Sequence, residues 1–123
     1  MLFPKARIPT KEAVIATLST IRSAKVTDLG DMEFTVVTDG GTFDVSLNTL
    51  AYVLEETRFV VDENRKSVER ADEIATYDAR FELLFDERDM ASGDIFNPLL
   101  AAAERLEKLT SGVVYETNTG EFQ

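Results

Sequence analysis

Histidine, cysteine and tryptophan are all absent from this 123-residue chain. Each absence removes a class of chemistry. Without cysteine there is no disulfide and no thiolate to attack a substrate or hold a metal. Without histidine the commonest general base and zinc ligand are missing, along with every Ser-His or Cys-His arrangement. No apolar run approaches the roughly 18 residues of a membrane-spanning helix. The opening MLFPKARIPTKEAV has no apolar stretch and is interrupted by Pro4 and Pro9, so it does not read as a secretory signal and a cytoplasmic location is expected. An enzyme built from this chain would work with carboxylates, Lys, Tyr or Ser, assisted by a hard metal ion.

What the chain does have is acid. Asp and Glu number 23 against 13 Lys and Arg, a net charge of −10. The charge is uneven. Residues 1–25 carry five basic side chains against Glu12 alone, a net +4, which leaves 8 basic and 22 acidic residues and a net −14 for the rest. Such a surface repels nucleic acid and anionic membranes and attracts a basic protein. The length and the 44% hydrophobic content suit one domain over residues 1–123 that buries its own core and calls for no cofactor.

The hairpin is the clearest local signal. In MEFTVVTDGGTFDVSL a two-residue turn at Asp39-Gly40 pairs Thr38 with Gly41, Val36 with Phe43, Phe34 with Val45 and Met32 with Leu47. The large apolar residues then share one face, while Glu33, Asp44 and Ser46 share the other. Ahead of it, residues 1–9 are expected to be an extended arm or first strand. Thr10 caps a helix over 11–24, and Val26–Leu29 adds a strand. Behind it, Leu47, Leu50, Ala51 and Leu54 predict a short helix, with RFVV (58–61) its exit or a strand, and 62–75 a charged surface helix. TYDARFELLF (76–85) alternates as a half-buried strand. Asn97-Pro98 starts a helix with Leu99, Ala102, Ala103, Leu106 and Leu109 inward, Gly112 near its end, then a strand at 113–116 and a turn at Asn118–Gly120. The fold class is therefore α+β: an antiparallel meander sheet, helices packed on one face, and a C-terminal β-α-β unit.

FDERDMASGDIF (85–96) is the densest cluster of acids. Its spacing from Asp86 does not match the calcium loop D-x-[DN]-x-[DN]-G, and no Gly-rich loop or basic cluster stands by to hold a phosphate. It reads as a connector whose acids favour the helix N-terminus that follows. Asp78, Glu82 and Asp86 fall evenly on the charged face of one strand, where wet carboxylates are not split into acid and base. No catalytic or metal-binding residue is assigned. The broad acidic stretch of EETRFVVDEN and SVERADEIATYDARFE, with aromatic residues among its charges, has the make-up of a binding surface. Its candidate contacts are Phe59, Asp62, Glu63, Glu69, Asp72, Glu73, Tyr77, Asp78, Glu82, Asp86 and Asp89, with Phe59 and Tyr77 as anchors.

In size, acidity and want of catalytic residues the chain resembles bacterial immunity proteins and antitoxins. That resemblance implies a non-enzymatic inhibitor whose acidic surface, around Asp62–Asp89, covers the active site of a basic toxin. The element order and the pI of 4.4 also resemble the small acidic chaperones of type III secretion. Those would act as homodimers on an extended segment of a secreted effector. They finish on a helix, where this chain ends on GVVYETNTGEF. A carboxylate and metal enzyme using Asp86, Asp89 and Asp94 is the third class.

Overall fold

The computed structural model describes residues 1–117 and 119–123, and the side chains of all of these except 90–92. Strand alternation organises it. Five strands, β1 (Leu2–Phe3), β2 (Lys25–Gly30), β3 (Glu33–Thr38), β4 (Gly41–Asn48) and β5 (Ala79–Phe85), form one sheet in the order β1-β5-β4-β3-β2, every neighbour antiparallel. The hairpin has the expected register, with Thr38 opposite Gly41, Val36 opposite Phe43 and Phe34 opposite Val45. Phe34, Val36, Phe43 and Val45 are buried, and Glu33 and Asp44 are exposed. A side chain at Gly40 would collide with the Asp94 carbonyl and approach Pro98, so the turn is glycine because another loop lies against it.

Helices α1 (Lys11–Leu18) and α5 (Phe96–Thr110) cover the core face. Val14 and Leu18 from α1 and Ala102 and Leu106 from α5 meet Phe3, Phe34, Val36, Phe43, Val45 and Phe81. The Phe3 and Phe81 rings stack with centroids 5.3 Å apart. Thr10 caps α1 by accepting the Ala13 amide at 3.1 Å. The helix stops at Leu18, short of the expected Ala24, because the Ser19 and Thr20 hydroxyls donate to backbone carbonyls of Ile15 and Thr17 and Ser23 turns left-handed at φ 62.

A second, smaller cluster of Leu2, Val61, Ile74 and Tyr77 lies beside β1 under α2 (Tyr52–Glu63), α3 (Ala71–Ile74) and a hairpin of β6 (Tyr115–Glu116) and β7 (Glu121–Phe122). Here the expectations need correcting. Leu47 and Asn48 continue β4, opposite Phe81 and Arg80, so the helix begins later, and RFVV lies inside α2. The single helix expected over 62–75 is broken. Asn64 turns its side chain back to the Val60 carbonyl at 2.8 Å and across to Gly120 at 2.9 Å, and Arg70 is left-handed at φ 61.

The acidic connector contains a short helix, α4 (Glu87–Ser92), preceded by Asp86, which accepts the Arg88 amide at 2.9 Å. Helix α5 starts at Phe96, so Asn97 and Pro98 stand in its first turn, where a missing N–H disrupts nothing. The β-α-β crossover does not form. Val113 makes an antiparallel bridge to Leu2, and β6 pairs with β7 outside the main sheet. The turn expected at 118–120 begins on a residue outside those described. Nor do the helices share one face, since α2 reaches the opposite side of the sheet through Glu56 and Arg80, 3.2 Å apart. Among the described residues no helix is long and apolar enough to cross a membrane.

Candidate protein-binding surface

Helix α2 places most of this surface. Val53, Thr57 and Val61 repeat every four residues and are buried, and the Thr57 hydroxyl is satisfied by the Val53 carbonyl at 2.8 Å. That leaves Tyr52, Glu55, Phe59, Asp62 and Glu63 on the outward crest. Phe59 is 65% exposed and Tyr52 42%. The Arg80 guanidinium sits 5.7 Å above the Tyr52 ring, within 3.2 Å of Glu56 and 3.0 Å of Glu82. Burial works against its charge, but the hydrogen bond it donates to Glu56 and the field of Glu82 outweigh it and hold Arg80 firmly protonated. Asn48 completes the junction by donating to the Tyr52 hydroxyl at 2.6 Å.

Beside the crest, a cleft of about 460 Å³ runs between α2 (Glu56, Thr57, Val60), β5 (Arg80 to Leu84), α5 (Ala103) and the 114–117 segment. Helix α5 adds an outward stripe, Phe96, Leu100, Ala103 and Glu107, at spacings of four, three and four. Phe96 and Leu100 are 50% and 58% exposed.

The structure divides the sequence-derived candidates. Phe59, Asp62 and Glu63 share the end of α2, and Glu82 stands in the neighbouring cleft. Glu69, Asp72 and Glu73 are exposed in and before α3. Their charge is partly spent within the chain. Arg65 bridges Asp62 at 3.0 Å and Asp72 at 2.8 Å, while Arg70 binds Glu73 at 2.6 Å. The Glu73 carboxyl is therefore held below its ordinary pKa, chiefly by Arg70. Tyr77 is not a surface anchor. Its ring is 1% exposed in the second cluster, Arg7 stacks over it at 5.6 Å, and its hydroxyl reaches Glu73 at 3.2 Å. Asp78 is half-buried and accepts the Lys5 amide at 2.7 Å.

Asp86 and Asp89 lie at the far end of β5, in a hollow with Thr42, Asp44, Leu84 and Arg88. The Arg88 side chain lowers the Asp86 pKa, with help from the Arg88 amide. A carboxylate held in its charged form by an arginine is no general acid. Among the described residues, no three carboxylates converge to hold a metal ion. Tyr52, Leu84, Phe96 and Leu100 were missed by the sequence reading. The seven-residue spacing of Tyr52 and Phe59 and the parity of Leu84 with Arg80 and Glu82 were the available signals.

No family model matches this chain, no curated protein matches it, and no solved structure matches its fold.

Proposed function

We propose that this chain is a non-enzymatic protein-binding domain that engages a basic partner through the α2–β5 face, as an immunity protein or antitoxin engages its toxin. One observation carries the reading: Phe59, 65% exposed, stands on a crest with Glu55, Asp62 and Glu63, next to a cleft edged by Glu56 and Glu82. An exposed aromatic ring inside a charged rim is the usual form of an interface anchor. The net charge of −10 speeds encounter with a basic molecule and opposes self-association. Capture from native lysate at low salt, run side by side with wild type and Phe59→Ala as bait, tests the reading. A basic protein held by wild type, released as salt rises and lost from Phe59→Ala is the expected result. Equal capture by both baits would remove Phe59 from the interface and the reading with it.

A further inference from the structure

The main sheet has two edges, and they are finished differently. Along β2 the pairing with β3 is broken by a bulge between Asp28 and Gly30. Gly30, Asp31 and Met32 follow with positive φ, and Lys11 pairs with Asp28 at 3.2 Å. Bulges and charges of this kind keep an edge from accepting another strand. The β5 edge has no such bulge. Strand β1 covers β5 only at Ala79 and Arg80. Met1 extends that cover by one residue, accepting the Phe81 amide at 3.0 Å and donating its amino group to the Phe81 carbonyl at 3.2 Å.

Backbone groups in a strand alternate sides. Arg80, Glu82 and Leu84 face β4, opposite Asn48, Ser46 and Asp44. Phe81 faces β1, so Leu83 and Phe85 direct their N–H and C=O groups the same way, past the point where the cover ends. Among the described residues no strand pairs with them on that side. The surroundings suit an extended chain. On the core face, Ala103 lines the cleft in one stripe with Leu100. On the outer face Leu84 is 61% exposed, and Glu56 and Glu82 line the same cleft around Arg80, which bridges both and leaves the three side chains one net negative charge to offer a cation.

We propose that an extended, basic segment of a partner polypeptide adds to β5 as a further antiparallel-sheet strand, hydrogen-bonded to Leu83 and Phe85. One row of its side chains packs towards Ala103, and the other presents Lys or Arg to Glu56 and Glu82. Strand addition draws affinity from the main chain and selectivity from alternate side chains. A second copy of this chain is the less suitable occupant. Pairing β5 with itself sets Glu82 and Asp86 of each copy near those of the other, under a net charge of −10 on both. The proposal rests on the binding reading above and adds the mode of contact.

The probe is a short peptide of alternating valine and lysine, titrated into the intact chain while backbone amides are followed by NMR. The Leu83 and Phe85 amides are expected to shift together and to exchange more slowly with solvent. N-methylation of the alternate peptide residues that face β5 is expected to weaken binding about 25-fold, since each of the two lost ladder bonds is worth roughly fivefold. N-methylation of the other set should leave it nearly unchanged. Glu56→Gln with Glu82→Gln should weaken the parent peptide and flatten its salt dependence. No binding, or binding indifferent to which set is methylated, overturns strand addition. Concentration-dependent dimerisation that protects the same amides without peptide overturns it in favour of a second copy. A partner lost from Phe59→Ala but leaving Leu83 and Phe85 unprotected would overturn the strand while sparing the broader reading.

Discussion

Phe81→Ala and Phe59→Ala replace the same residue type and should differ greatly in their effect on stability. Phe81 is 1% exposed, stacks on Phe3 at 5.3 Å and lies opposite Leu47 in the sheet. Truncating a buried phenylalanine costs about 3–5 kcal/mol through lost transfer energy and the cavity left behind. Phe59 is 65% exposed. Full burial of such a side chain is worth about 1.5–3 kcal/mol, so the part of Phe59 that is covered contributes less than about 1 kcal/mol. Alanine recovers roughly 0.5 kcal/mol of that by its higher helix propensity. The net change for Phe59→Ala is therefore within about 0.5 kcal/mol. Urea unfolding followed by far-UV circular dichroism reads both variants. With a slope near 2 kcal/mol per molar urea, the Phe81→Ala midpoint falls by about 2 M and the Phe59→Ala midpoint by less than about 0.3 M. A fall for Phe59→Ala as large as that for Phe81→Ala would mean that the crest of α2 is core and that Phe59 is no interface anchor.

Three further results are expected. The Met1 amino group is buried, and burial lowers its pKa from 8.0 to about 5, with Arg80 adding to the effect. The unfolded chain then binds more protons than the folded one between those values, so stability rises with pH across that window and is lost as pH falls towards 5. The gain is at most about 4 kcal/mol, and with no histidine present a slope in urea midpoint between pH 5.5 and 8 reports this group; a flat profile would contradict its burial. Gly112→Ala sets a methyl group against the Leu2 carbonyl, with Thr110 Oγ1 at 3.0 Å and Met1 Sδ at 3.1 Å, and should destabilise by about 1–3 kcal/mol in the same assay. Thr10→Ala removes the cap on the Ala13 amide and should lower stability by about 1 kcal/mol, whereas Thr10→Asn restores it.

The hairpin was legible because its signal is local. A period of two around Asp39-Gly40 admits one register that buries Phe34, Val36, Phe43 and Val45 together. Strand β5 was legible for the same reason. Helix α2 was legible only in part: a short helix was expected here, but its start and length were missed because its buried stripe passes through Thr57 and the Phe59-Val60-Val61 run has strand character. The short helix α4 was hidden among acids that serve a loop equally well, although they favour a helix N-terminus.

The surface was harder to read than the fold. Sequence counts acids without showing their partners, and the local pairing of Asp62, Asp72 and Glu73 with Arg65 and Arg70 is a property of the folded chain. Aromatic residues in a charged stretch look alike, and tertiary packing separates exposed Phe59 from buried Tyr77. The open side of β5 depends on which strands are neighbours and where β1 runs out, a long-range property absent from any local pattern.

The most direct test is amide hydrogen exchange over the whole chain, free and bound to the basic protein it captures. New protection concentrated on 52–63 and on Leu83 and Phe85 is the predicted result. Protection confined to α1 and β2, with α2 and β5 unchanged, would place the interface on the opposite side of the molecule and contradict the account.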